Sequence, residues 1–178
     1  MPFWQGKLGL LIAEVLGRHA AKLSVEAKRG SGSGTPKPVL FGRHQDKMAL
    51  LSSAAGVETR PSEAALPASA AGFDVVVDAT GSPAGLDLAR ALCRPLGTLI
   101  LKSTCAAGTD FNTAPFVVDE LRIIGSRCGP FPPALELLAT GLDLTKLITA
   151  TYPLSEVAEA IKKAGTKGTM KVQLRVSE

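Results

Sequence analysis

Aromatic side chains are scarce in this chain, with one Trp, one Tyr and six Phe among 178 residues. A core built on large rings, as in many sandwiches, is therefore disfavoured. The abundant Ala, Val, Leu and Gly suit helices packed on a sheet. Cysteine is also sparse: Cys93, Cys105 and Cys128 form no CxxC pair, which argues against a zinc cluster or a disulfide framework. They read as buried or incidental thiols in a reducing compartment. No apolar run approaches the roughly 18 residues needed to span a bilayer, so no membrane partner is expected. The segment Leu8 to Leu16 is interrupted by Glu14 and lacks a small-residue cleavage site, which argues against a signal peptide. A soluble, cytoplasmic protein is expected, with an organelle stroma or matrix as the alternative. The net charge of +4 is dispersed, and no basic stripe interleaved with aromatics points to nucleic acid.

What the chain does contain is length and apolar content enough for a real core: 46% of its residues are hydrophobic. The most informative stretch runs from Phe73 to Lys102. Val75, Val76 and Val77 form a continuous apolar run, as expected of a parallel strand covered on both faces. Gly81 can take the turn that follows, Ser82 can cap a helix, and Pro83 suits its first position. A second buried strand, Thr98 to Leu101, comes after the helix. A parallel pair joined this way opens a ligand crevice at the carboxyl ends of its strands, near Thr80, Gly81, Lys102 and Ser103. Asp78 lies inside the apolar strand, where an unpaired carboxylate is costly, so a hydrogen bond to neighbouring backbone is expected.

The other elements alternate in the same manner. Leu8, Leu11, Ile12, Val15, Leu16 and His19 repeat with helical spacing, leaving Lys7, Glu14 and Arg18 for water. This helix is expected to end near Ala21. A flexible Gly/Ser loop over residues 22–38 follows, in which Lys28, Arg29 and Lys37 are solvated. Strands are expected at Val39 to Phe41 and Val57 to Thr59, with a helix from Asp46 to Ala55 between them. Further on come a strand from Glu120 to Ser126, a helix from Pro133 to Thr140 closed by Gly141, and a strand from Leu147 to Tyr152. Ser155 is expected to cap a helix carrying Val157, Ala160, Ile161 and Ala164, ahead of a last strand from Lys171 to Val176. The alternation predicts a doubly wound α/β sheet.

Gly6 and Gly9, around Lys7 and Leu8, stand at the spacing of the last two glycines of the dinucleotide fingerprint GxGxxG. Trp4 occupies the place of the first, and only Met1 to Trp4 precede the turn, so the first strand is expected to be truncated. At the end of the second strand the sequence reads Gly42-Arg43-His44, with Lys47 one turn on. An Asp or Glu there would accept hydrogen bonds from the ribose of NAD, whereas Arg43 offers a fork suited to a 2′-phosphate. NADP is expected over NAD. The plain alternative for Arg43 is a solvated residue opening a helix.

Taken together, Gly6 to Ile12, Gly42 to His44 with Asp46 and Lys47, Asp74 to Gly81, Gly97 to Thr104 and Gly125 to Phe131 resemble the cofactor half of zinc-type medium-chain alcohol dehydrogenases. The threonine-dehydrogenase-like or sorbitol-dehydrogenase-like branch is the nearest in pattern. The ending, Tyr152 to Ile161 with Met170 to Leu174, is similar to that family's closing helix and strand. The resemblance implies a Rossmann-type NAD(P)-binding domain over residues 1–150, and a helix and strand over residues 151–178 that return to a catalytic domain. It implies hydride transfer between an alcohol and nicotinamide, with Thr80 and Gly81 lining the cofactor crevice and Lys102 and Ser103 on its nicotinamide side. It also implies a homodimer paired through the strand within residues 120–126. Family members carry zinc on a GroES-like catalytic domain that includes a Gly-His-Glu motif, and this chain is expected to begin after it. Neither His19 nor His44 matches a zinc ligand, so no catalytic or metal-binding residue is expected here, and activity of the chain alone is not. Two readings remain open: a cofactor-binding piece working with a separate catalytic domain, or a non-catalytic dinucleotide-binding or scaffolding module.

Overall fold

The computed structural model describes residues 2–4, 7–29, 36–51, 55–62, 72–104 and 112–177. Gly6 and Cys105 lie outside them, as does residue 30–35 of the expected loop. The chain divides into two compact units, Met1–Arg127 and Cys128–Glu178.

In the first unit, strands β1 (Pro2–Trp4), β2 (Val39–Gly42) and β3 (Glu58–Pro61) form one parallel sheet in the order β1-β2-β3. Strands β4 (Phe73–Asp78), β5 (Cys93–Leu101) and β6 (Arg122–Gly125) form a second parallel sheet in the order β4-β5-β6. The backbones of β1 and β4 run beside each other without a hydrogen-bonded ladder. The spatial order is thus 3-2-1-4-5-6, the doubly wound order, interrupted at its centre by the three-residue β1.

The helices are α1 (Lys7–Arg29), α2 (Gln45–Met48), α3 (Pro83–Leu92) and α4 (Ala114–Val118). Helix α3 begins as its sequence dictates. The Ser82 hydroxyl accepts from the Gly85 N–H at 3.2 Å, Pro83 stands in the first turn, and Gly81 takes φ +70°. Its apolar face, through Ala89 and Leu92, closes a core with Val39 and Phe41 of β2, Val76 of β4 and Leu99 of β5. The Phe41 ring meets Phe73 edge-on at 6.1 Å, so side chains from both sheets share this core.

Helix α1 differs from expectation in two ways. It continues through residues 22–29, which are helical rather than loop: after the apolar periodicity fades at Ala21, residues such as Lys22, Leu23 and Glu26 still favour helix. The face it buries is also not the large-residue stripe. Leu8 and His19 are exposed, whereas Gly9, Leu10, Ala13, Glu14 and Gly17 are buried. A Cβ on Gly17 would come within 1.9 Å of the Ala55 carbonyl oxygen. Close backbone approach at Gly17, on the same buried face as Gly9 and Ala13, therefore sets the rotation of the helix. It draws Glu14 down to 5% exposure, where the carboxylate pairs with Arg18 at 3.2 Å.

At the amino end of the second sheet, β5 carries an irregularity between its pairings Phe73↔Cys93 and Val75↔Thr98. Leu96 there takes φ +62°, and its N–H donates to the Asp119 carbonyl at 2.8 Å. Arg94 braces the irregularity by donating to Asp74 at 2.7 Å and to the Pro95 carbonyl at 2.8 Å. The guanidinium holds the Asp74 carboxyl below its ordinary range, and burial raises the Cys93 thiol above its own.

The second unit holds α5 (Phe131–Ala139), closed by Gly141 at φ +96°, and a βαβ element in which α6 (Val157–Ala164) joins the parallel strands β7 (Ile148–Pro153) and β8 (Lys171–Arg175). Strand β7 pairs with β8 and not with β6 among the described residues. Ser155 does not cap α6. It lies in a 3-10 turn, Leu154–Glu156, whose tighter winding delays the helix until Val157 and leaves Glu156 at the cap position.

Candidate dinucleotide crevice

In parallel sheets the carboxyl ends of the strands share one edge, and where the strand order reverses, between β1 and β4, that edge opens into a crevice. On the β1 side, α1 begins at Lys7; Lys7 and Leu8 are exposed and Gly9 is buried. At the end of β2, Gly42 is buried and its carbonyl accepts from the Ser62 N–H at 3.0 Å, which leaves Arg43 and His44 exposed on the loop that opens α2. His44 occupies the cap position without a side-chain capping bond, and Lys47, half-buried, sits within α2. Arg43 and Lys47 thus follow β2 with the exposed Asp46 between them, and the position directly after Gly42 is held by Arg43 rather than by an acid.

On the other side, β4 ends at Asp78, which is 4% exposed. Its Oδ1 accepts from the Thr80 N–H at 2.9 Å, the expected backbone bond. Its Oδ2 accepts from the Ser103 hydroxyl at 2.5 Å, a bond the sequence reading did not foresee. Thr80 Oγ1 lies 3.1 Å from the Ser82 N–H, which it accepts, and 3.3 Å from the Ser82 carbonyl. Thr80 also rests on the first turn of α3, where a Cβ on Gly85 would stand 2.1 Å from its Oγ1. A glycine inside a helix costs about 1 kcal/mol relative to alanine, and that cost was the one signal in the sequence that Gly85 serves packing. Beyond β5, successive residues turn opposite ways. Ser103 faces Asp78, whereas the Lys102 ammonium bonds to the Arg127 carbonyl and reaches Ser126 Oγ at 3.5 Å. Thr80 and Ser103 are therefore gathered about one carboxylate, with Gly81 next in the turn after Thr80, and Lys102 is held toward β6 instead.

Among the described residues, no three His, Cys, Asp or Glu side chains gather as metal ligands. None of the described helices is long and apolar enough to cross a membrane.

No protein-family model matches the sequence. Among curated proteins, D-arabitol-phosphate dehydrogenase of Enterococcus avium is 33% identical over 108 residues, covering 58% of this chain and 31% of that protein. Among solved structures, L-idonate 5-dehydrogenase from Escherichia coli superposes with a TM-score of 0.79 at 22% identity, over 98% of this chain and 49% of the other. A zinc-binding dehydrogenase from Sinorhizobium meliloti bound to NADP gives 0.76 at 22% identity, over 98% and 51%. A short chain alcohol dehydrogenase from E. coli CFT073 complexed with NADH gives 0.76 at 20%, over 98% and 51%. The chain has the fold of the matching half of these dehydrogenases. The chain spans about half the length of those solved structures, and its sequence match spans about a third of the curated relative. Its six-strand order and its crevice at the β1/β4 reversal are those expected of that fold.

Proposed function

We propose that the chain is the NADP(H)-binding part of an oxidoreductase that moves hydride between nicotinamide and an alcohol of the polyol class. The observation that carries the cofactor choice is the end of β2, where exposed Arg43 follows buried Gly42 in place of an acid. A carboxylate there would repel a 2′-phosphate; a guanidinium can hold it through two parallel hydrogen bonds, with Lys47 adding charge. The N-terminal turn of α1, beginning at Lys7, would take the pyrophosphate, and the lips that carry Thr80, Gly81 and Ser103 would flank the nicotinamide half. His44 closes the adenosine side. The dinucleotide, when bound, supplies the hydride donor or acceptor. This chain's own residues bind and orient it.

The polyol class follows from the curated relative, and the zinc named for the S. meliloti neighbour would act on the alcohol oxygen. The described residues of this chain do not fit zinc, so the alcohol-polarising half of the reaction is assigned to a partner catalytic domain and no step here runs through a metal. We further propose that two copies pair through β6. Its residues Ile123 and Ile124 are 41% and 49% exposed, and β5 occupies only one of its edges among the described residues.

The test is equilibrium binding of NADPH and NADH to the chain and to Arg43→Ala. Loss of about tenfold or more in NADPH affinity, with NADH within twofold, is expected for removal of a charge-assisted bond. Equal affinities of the variant and the parent for NADPH would overturn the assignment.

A further inference from the structure

We propose that Asp78 is a positioning residue that sets the nicotinamide end of the crevice by holding both of its loops on one carboxylate. The inference rests on the dinucleotide reading above and deepens it. Arg43 assigns the adenosine half to the β1–β3 side, so the mononucleotide half built on β4–β6 receives the nicotinamide.

Asp78 follows Val75, Val76 and Val77 in a strand whose burial would favour a fourth apolar residue, and a buried carboxylate is tolerated only when hydrogen-bonded. Closing the turn after β4 needs one acceptor, and Oδ1 provides it to Thr80. The second oxygen reaches 25 residues along the chain to Ser103, in the segment leaving β5. Neither partner lies on a strand: both belong to the lips of the crevice. From Thr80 the chain of bonds continues to Ser82 and through its hydroxyl to the Gly85 N–H. The carboxylate thus ties the loop after β5 to the first turn of α3. The Lys102 N–H also donates to the Asp78 carbonyl at 2.9 Å, so losing the Ser103 bond leaves the strand ends joined and releases only the lip from Ser103 onward.

Binding of NADPH, and of 2′-phospho-ADP-ribose, which lacks the nicotinamide, separates this role from a general structural one. Ser103→Ala is expected to weaken NADPH by about tenfold, the scale of one hydrogen bond to a charged acceptor, and to leave the fragment within twofold. Ser103→Thr, which keeps the hydroxyl, restores NADPH binding. Asp78→Asn also retains it, since an amide oxygen can still accept from Thr80 and the amide nitrogen can donate to Ser103. Asp78→Ala reproduces the loss, and adding Ser103→Ala makes it no worse, whereas a serine touching the cofactor directly would add a loss of its own. If Asp78→Ala does not fold, the two Ser103 variants and Asp78→Asn decide. The proposal is overturned if Ser103→Ala binds NADPH like the parent, if both probes weaken equally, or if Ser103→Thr fails to rescue. A folded parent that binds neither probe overturns the cofactor reading itself.

Discussion

The space beside Thr80 shows how much of the crevice depends on single atoms. A methyl group at position 85 would have to displace the Thr80 hydroxyl and Cγ2, which lie 2.1 and 2.5 Å from its place. Gly85→Ala is therefore expected to cost about 1–3 kcal/mol despite alanine's better helix propensity, read as a lower urea midpoint. A second residue-scale prediction concerns acid. Arg94 keeps Asp74 ionised below the ordinary aspartate value of 3.8, so the unfolded chain takes up that proton first. The pair's stabilisation is present above that value and is lost as the pH falls through the lower folded pKa. Asp74→Asn should be slightly less stable than the parent at pH 7, with the difference closing as the pH drops below 3.8; a difference that persists in acid contradicts the pairing. At this scale the sequence was legible where chemistry is local. Ser82, Pro83 and Gly81 act within four residues of one another, and each does what its side chain dictates. The Asp78–Ser103 bond joins positions 25 apart, and no spacing rule reveals it.

Elements were legible where apolar residues set their own boundaries, as in β4 and the helix after it. Helix α1 was not. Its large residues advertised one face, but its small residues fixed another, because Gly17 admits the Ala55 carbonyl where any side chain would stand. Gly17→Ala should destabilise the first unit by about 1–3 kcal/mol through forced separation. Gly165→Ala, where the nearest atom to the new methyl is 3.5 Å away, should change stability by no more than about 0.5 kcal/mol. Equal effects in thermal or urea melts would refute the close-packing account. The end of α1 at Arg29 and the delayed start of α6 were hidden for a different reason: both depend on how far a helix runs past its last packed residue, which propensity alone decides weakly.

At the scale of the molecule, the alternation of strand and helix was enough to predict a doubly wound sheet. The pairing of β7 with β8 was not legible, because strand pairing is a non-local choice. The outer edge of β6 carries the proposed pairing of two copies. Sedimentation should show a dimer for the parent and a monomer for Ile124→Lys with unchanged circular dichroism, since charge on an edge strand opposes pairing; a parent that sediments as a monomer contradicts it. The account stands or falls on the crevice between the two sheets. Titrating the folded chain with NADPH and NADH, and repeating the titration with Arg43→Ala, tests it most directly. Saturable binding with NADPH preferred, and loss of that preference in the variant, is the predicted result; a folded chain that binds neither, or a preference that survives the loss of Arg43, would contradict it.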